Sequence, residues 1–298
     1  MISQYFAQYL LNTAALQASQ VQSLLSKESE HKAQLLVLAM NDGLITAKQI
    51  ESIQEKEKLQ NKTFAEIALA DGYLTKSQLS NIENSIINHQ TNFIQAMLDE
   101  HIVGYVQMEK FIKAYNESEL MPIDAAVRQL AVKCPEDVEN ECDHYCEYAD
   151  TFMHSLVRFM DTSAVINPAA IPFSGEKPTV VISQRLTGDM IMTTGILAEE
   201  DVFLEMARRY SQEDIAEVDE LAIDSVSEFL NVANGLYVVD LAHRQLEVDL
   251  EPQRMARNVT PAGNQQMIIR IDTGFGPFDL IIATDEFLLL EDGQGKQL

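Results

Sequence analysis

Apolar positions in the first 116 residues recur at a fixed offset. LNTAALQASQV, MNDGLITAKQI, LADGYLTKSQL and LDEHIVGYVQM begin at residues 11, 40, 69 and 98, a spacing of 29 each time. Leu16, Ile45, Leu74 and Val103 fall in register, then Val21, Ile50, Leu79 and Met108, then Leu24, Ile53, Ile82 and Phe111. A polar register at Gln20, Gln49, Gln78 and Gln107 runs with them. Self-similarity at such a period marks an array whose copies bury their apolar faces on one another. Each copy reads as helix, tight turn, helix. Gly43 and Gly72 stand where a helix C-terminus needs a left-handed residue, and Thr46 and Thr75 stand where an N-cap hydroxyl belongs. The pattern predicts tandem all-α repeats over residues 1–116, serving as a binding module or as a spacer or dimerisation module.

Residues 117–144 break the period at Met121-Pro122 and again at Cys134-Pro135, and they read as a connector with one short helix around 123–133. From 145 the pattern is mixed. EYADTFMHSLVRFMDTS is an amphipathic helix with Phe152, Leu156 and Phe159/Met160 on one side. After the loop NPAAIPFSGEKP come two strands, PTVVISQRL and DMIMTTGIL, joined at Thr187-Gly188. Gln184/Arg185 and Thr193/Thr194 interrupt their apolar runs as half-buried strands would. EEDVFLEMARRYS follows as a helix with Asp201 early and Arg208/Arg209 late, which suits the helix dipole. A long helix over 213–234 comes next. Strands then resume at LYVVDL, QLEVDLEP, QQMIIRIDT and PFDLIIATDE, the last two around a GFG turn. Residues 145–298 are therefore expected to form an α+β domain with a mainly antiparallel sheet packed by helices.

On the 213–234 helix the apolar stripe is Val218, Ala222, Ser225/Val226, Phe229 and Ala233. Asp224, Glu228, Asn231 and Gly235 step by four, three and four, so they share the opposite side. One explanation is a solvated face with Asn234-Gly235 closing the helix. The other is that this row does the protein's work.

The formal charge is −25. Residues 1–140 hold 11 Lys/Arg against 18 Asp/Glu, a net of −7, and residues 141–298 hold 10 against 28, a net of −18. Such a field repels phosphate backbones and anionic bilayers, so nucleic acid and membrane are poor partners and a basic or metal-bearing protein surface is a better one. The N-terminus lacks a basic region and a small-residue cleavage site, and no apolar run reaches membrane-span length. Three clustered cysteines, Cys134, Cys142 and Cys146, do not make a disulfide framework, and the expected location is the cytoplasm. Cys142 and Cys146 lie one helical turn apart, but a fourth ligand is missing, so structural thiols are expected in place of a metal site.

Two resemblances follow from these motifs. The middle repeats, through Gly43/Ile50 and Gly72/Leu79, resemble the MshEN-like N-terminal domains of type II secretion and type IV pilus ATPases. That family binds cyclic di-GMP through an Arg-Leu-Gly opening, which here reads Gln34-Leu35-Leu36 and Thr63-Phe64-Ala65, without the arginine. The resemblance implies architecture, with a cyclic-dinucleotide sensor as an alternative function. Asp-x-x-x-Glu-x-x-Asn-x-x-x-Gly over 224–235, on a long helix after a hairpin and another helix, resembles the CheX/CheC family of chemotaxis phosphatases. Pro252 also stands where that family tends to place a proline. The single Glu-x-x-Asn helix is closer to the CheX type.

The CheX/CheC resemblance spans about half the chain, roughly residues 145–290. It implies hydrolysis of the phospho-aspartate of a CheY-like response-regulator receiver domain. Asn231 would orient the attacking water, Glu228 would pair with the receiver's lysine, and Asp224 would help docking. The chain would need no cofactor of its own, since the receiver brings Mg2+. The resemblance also implies a homodimer paired through the sheets, an interface the added repeats could either supply or block, so the oligomeric state stays open. A non-enzymatic adaptor for a receiver is the other alternative.

Overall fold

The computed structural model describes residues 3–27, 35–60, 64–83, 89–118, 121–132, 142–169, 179–262, 266–284 and 288–291. Cys134, Gln34, Thr63 and most of the NPAAIPFSGEKP loop lie outside them. The chain divides into two compact units, Met1–Met121 and Pro122–Leu298.

In the first unit the described helices form four pairs: α1 (Ser3–Asn12) with α2 (Ala18–Lys27), α3 (Leu35–Asn41) with α4 (Ala47–Gln60), α5 (Phe64–Ala70) with α6 (Lys76–Glu83), and α7 (His89–Asp99) with α8 (Tyr105–Asn116). The second helices start 29 residues apart, so the period of the sequence is the period of the structure. Each turn holds a left-handed residue in one register: Ala14 (φ 53°), Gly43 (φ 67°), Gly72 (φ 72°) and His101 (φ 55°). At Gly43 the closing bonds run from Gly43 N–H to the Met40 carbonyl (3.0 Å) and from Leu44 N–H to the Ala39 carbonyl (2.9 Å). These satisfy carbonyls the helix end would leave unpaired.

The glutamine register has its reason here as well. Thr46 N–H donates to Gln49 Oε1 (2.8 Å) while Gln49 N–H donates to Thr46 Oγ1 (3.4 Å). Thr75 and Gln78 repeat the exchange at 2.9 and 3.2 Å. This is the reciprocal capping box, with glutamine at the third helical position. Copy one keeps half of it, Gln17 N–H to Gln20 Oε1 at 2.9 Å, and at the start of α8 Gly104 provides no side-chain cap. The apolar registers are buried in copies one to three, whereas Val103 and Phe111 of the fourth copy are half-buried.

The second unit runs α9 (Pro122–Ala131), α10 (Cys142–Met160), β1 (Ala164–Ile166), β2 (Thr179–Gly188), β3 (Met192–Glu199), α11 (Glu200–Ser211), α12 (Glu220–His243), β4 (Val248–Leu250), β5 (Arg254–Arg257), β6 (Val259–Ala262), β7 (Gln266–Thr273), β8 (Gly276–Ala283) and β9 (Leu288–Glu291). The main sheet has the order β1-β7-β8-β3-β2-β4, with β5 also on β2, and β6 pairs with β9 separately. Every described ladder is antiparallel. The GFG turn joins β7 to β8 as expected. Gly276, at φ 134°, leaves no room for a Cβ, which would stand 2.6 Å from Val202 Cγ2.

The core lies between the sheet and the helices. Phe152 of α10 meets Phe229 of α12 edge-on at 5.6 Å and Phe278 of β8 at 6.2 Å, and Tyr148 meets Tyr237 at 5.4 Å. On the other face Val181, Leu197 and Ile281 cluster with Val259 of β6. Both faces are therefore covered, and the half-buried strands expected at 178–197 are corrected. From Thr179 to Leu186 only Arg185 is exposed, and from Met192 to Ala198 every residue is buried. A strand covered on both sides reads as a continuous apolar run.

The long helix also differs from expectation. It begins at Glu220, where the Asp219 side chain caps it by accepting from Ala222 N–H at 3.0 Å. It does not stop at Asn234-Gly235 but continues to His243, so LYVVDL is helix and not strand. Buried Phe229, Leu230, Ala233, Asn234, Tyr237 and Leu241 carry one helical stripe across the glycine. The strands β1, β5, β6 and β9 have no counterpart in the sequence reading.

At the start of α10, Cys142 and Cys146, one turn apart, are buried free thiols with their sulfurs 3.8 Å apart. Burial, with Cys142 beside it, pushes the Cys146 thiol well above its ordinary range, so it stays protonated. Among the described residues no helix is long and apolar enough to cross a membrane.

Candidate functional site

Helix α12 packs on α10, α11 and strand β2, and that packing decides which of its side chains face out. Ala222, Ser225, Val226, Phe229, Leu230 and Ala233 are buried. Asp224 and Glu228 are exposed, and Asn231 is half-buried at the edge of the packed face. The three residues singled out in the sequence therefore line one outward side at successive turns. Asn231 Nδ2 points toward Glu228 Oε2 at 3.5 Å, a long contact at the limit of a hydrogen bond. Beside Glu228 stands Tyr210 of α11. Burial raises its phenol above the ordinary range, and the Glu228 charge adds to the effect.

Gly235 occupies the helix interior with nothing within 4 Å of where a Cβ would be. It has no terminating role. Asn234, expected to cap the helix, is instead fully buried and holds three side-chain partners. Its Oδ1 accepts from Tyr148 Oη (2.6 Å) and from Thr194 Oγ1 (3.0 Å), and its Nδ2 donates to Gln184 Oε1 (2.8 Å). Gln184 Nε2 in turn donates to Asn231 Oδ1 (2.8 Å) and to the Glu251 backbone carbonyl (2.9 Å). A polar chain thus runs from the centre of the core, Tyr148 to Asn234 to Gln184, and surfaces at Asn231. Complete burial keeps the Tyr148 phenol protonated, its pKa pushed far up.

The sequence alone does not mark these inner residues as part of the site. The available signal was Gln184 and Thr194 interrupting strands that are otherwise apolar, since a buried polar side chain has to find partners. What the sequence does not contain is the partner, because Asn231 and Gln184 are 47 residues apart.

Chemically, the outward row presents a carboxylate and a carboxamide whose orientation is fixed from below. Asn231 Oδ1 has two lone pairs, and Gln184 uses one of them. No group of three or more His, Cys, Asp or Glu side chains suited to a metal ion occurs among the described residues.

No family model matches the chain, and no curated protein matches it. Solved structures do resemble it. About half the chain (47%) is similar to 97% of the chemotaxis protein CheX from Desulfovibrio desulfuricans, at 12% identity and a TM-score of 0.37. It covers 99% of a CheC-like superfamily protein from Shewanella sp. PV-4 with 51% of its own length, at 16% identity and a TM-score of 0.39. It covers 96% of a chain from the CheX-CheY-BeF3-Mg+2 complex of Borrelia burgdorferi with 47% of its own length, at 14% identity and a TM-score of 0.37.

Proposed function

We propose that the outward face of α12 is the active site of a phosphatase acting on the phospho-aspartate of a CheY-like receiver domain. The observation that carries this reading is the pairing of a fixed carboxamide with an exposed carboxylate. Asn231 is held through Oδ1 by Gln184, and its Nδ2 stands 3.5 Å from Glu228 on an open helix face. An acyl phosphate is already reactive, and in-line attack by water needs positioning more than covalent help. The second lone pair of Asn231 Oδ1 accepts from that water and aims it, while Nδ2 can donate to a phosphoryl oxygen. Water attacks phosphorus, the bond to the aspartyl oxygen breaks, and inorganic phosphate leaves.

Glu228 pairs with the receiver's lysine and sets the register of docking. Asp224, one turn earlier and exposed, extends the acidic surface that attracts a lysine-bearing partner. A Mg2+ brought by the receiver would supply charge neutralisation at the phosphoryl group, and this chain's residues would not need to hold it. The helical repeats serve regulation or targeting.

The test is the phospho-aspartate lifetime of the host's receivers with wild type, Asn231→Ala and Glu228→Ala. Loss of the Asn231 amide should slow hydrolysis on the order of 10²-fold with docking kept. Loss of Glu228 should raise KM more than it lowers kcat. A receiver that binds while its phospho-aspartate lifetime stays unchanged would instead make the protein an adaptor.

A further inference from the structure

We propose that Gln184 is the positioning residue that fixes which way the Asn231 carboxamide faces, and that the Glu251 carbonyl sets the direction. A backbone carbonyl can only accept, so the Gln184 edge at 2.9 Å from it must be the NH2. The other proton of that NH2 reaches Asn231 at 2.8 Å, so the atom it meets must be Oδ1. Gln184 Oε1 then faces Asn234, which must offer Nδ2 (2.8 Å) and leave Oδ1 for the Tyr148 and Thr194 hydroxyls. Flipping Asn231 alone would set two NH2 groups against each other. Flipping Gln184 would set two carbonyl oxygens against its own.

The chain of bonds lies in a dry part of the protein. Gln184 is 2% exposed, and Asn234, Thr194 and Tyr148 are 0% exposed. No bulk water can compensate a flipped amide there, so the wrong orientation leaves buried donors unpaired. The Glu251 carbonyl is available because β4 ends at Leu250. Glu251 itself returns only its N–H to β2, at 2.9 Å from the Arg185 carbonyl. Asn231 therefore meets solvent with a defined oxygen and a defined NH2, set by a strand residue that never contacts the partner.

The kinetic consequence rests on the phosphatase reading above, whereas the orientation can be tested without it. The experiment uses the full chain and reads the side-chain amide protons of Gln184 by NMR, beside kcat and KM on a phosphorylated receiver. In wild type both Gln184 protons should be slow to exchange. Asn231→Ala should speed exchange of one of them by about tenfold or more and leave the other, on the Glu251 carbonyl, protected. Gln184→Leu and the shape-conserving Gln184→Glu should each lower kcat roughly 10- to 100-fold with KM unchanged. In an Asn231→Ala background the same changes should cost less than about twofold, because the residue they position is gone.

Gln184 protons exchanging at free rates in wild type would overturn the proposal. So would kcat losses of equal size with and without Asn231. If Asn231→Ala keeps full phosphatase activity while the Gln184 proton still responds, the orientation stands and the phosphatase reading falls.

Discussion

In the repeats one turn is built four times from near neighbours in sequence, whereas in the second unit a single buried carboxamide, Asn234, is held by residues 40, 50 and 86 positions away. The first device is cheap to duplicate and leaves a visible period. The second occurs once, leaves no period, and depends on several elements arriving together. Each unit is therefore fragile in a different place. A repeat loses one cap and keeps the other caps, while the α+β unit loses its partners as a set.

The largest expected effect comes from breaking that set. Asn234→Leu strands Gln184 Oε1 in a dry core and takes from the Tyr148 and Thr194 hydroxyls their shared acceptor, leaving Thr194 only a long 3.5 Å contact to the Gln184 backbone carbonyl, at about 1–3 kcal/mol for each group left unpaired. Urea unfolding followed by circular dichroism should show a loss of several kcal/mol in the second unit. Gln49→Ala, which removes one local cap, should cost only about 0.5–1 kcal/mol. Equal losses would erase the contrast.

A smaller effect tests the turns. Gly43 is left-handed with open space around it, so Gly43→Ala should destabilise by about 1 kcal/mol from backbone strain alone. Ala14→Gly and His101→Gly, at the same register and the same sign of φ, should gain a similar amount. Thermal melting of the three variants checks the sign at each copy.

Smaller again is Gly235→Ala. Inside a helix, with nothing near its would-be Cβ, the change should stabilise by about 0.5–1 kcal/mol. A terminating glycine would give the opposite sign.

The smallest effect is local electrostatics within α10. The Asp150 side chain, as hydrogen-bond acceptor and negative charge, raises the His154 pKa above 6.5 against the opposing pull of burial. A raised histidine contributes stability that is fully present below its unfolded pKa and lost as pH rises through the folded value. Wild type should therefore exceed His154→Gln by about 0.3–0.5 kcal/mol at pH 5.5 and match it at pH 8.5. Both side chains are partly exposed, at 44% and 32%, which keeps the figure small.

Legibility in the sequence followed the same division. The 29-residue period, the glycine turns and the threonine caps were readable because each is a local cause repeated. The hairpins β2–β3 and β7–β8 were readable from apolar runs around glycine turns. LYVVDL suggests a strand because Leu, Tyr and Val have strand propensity and Asn-Gly resembles a terminator, yet it is helix. The deciding fact was that Asn234, Tyr237 and Leu241 lie on one buried helical stripe, which only the neighbouring α10 and β2 make apparent. The short edge strand Arg254–Arg257 is too polar and brief to declare itself. At the site, Glu228 and Asn231 could be placed on one face by counting along the helix. Gln184 could be seen as a polar interruption, but its hold on Asn231 could not, since nothing local links strand residue and helix residue.

On the proposed function, Asn231, held by Gln184 at the surface of α12, acts on the phospho-aspartate of a receiver domain. The most direct measurement is the decay of a phosphorylated receiver across a panel from the host, with wild type beside Asn231→Ala at equal binding. At least one receiver should decay faster with wild type and slow again by on the order of 10²-fold with Asn231→Ala. Identical decay with both proteins, for every receiver bound, would contradict it.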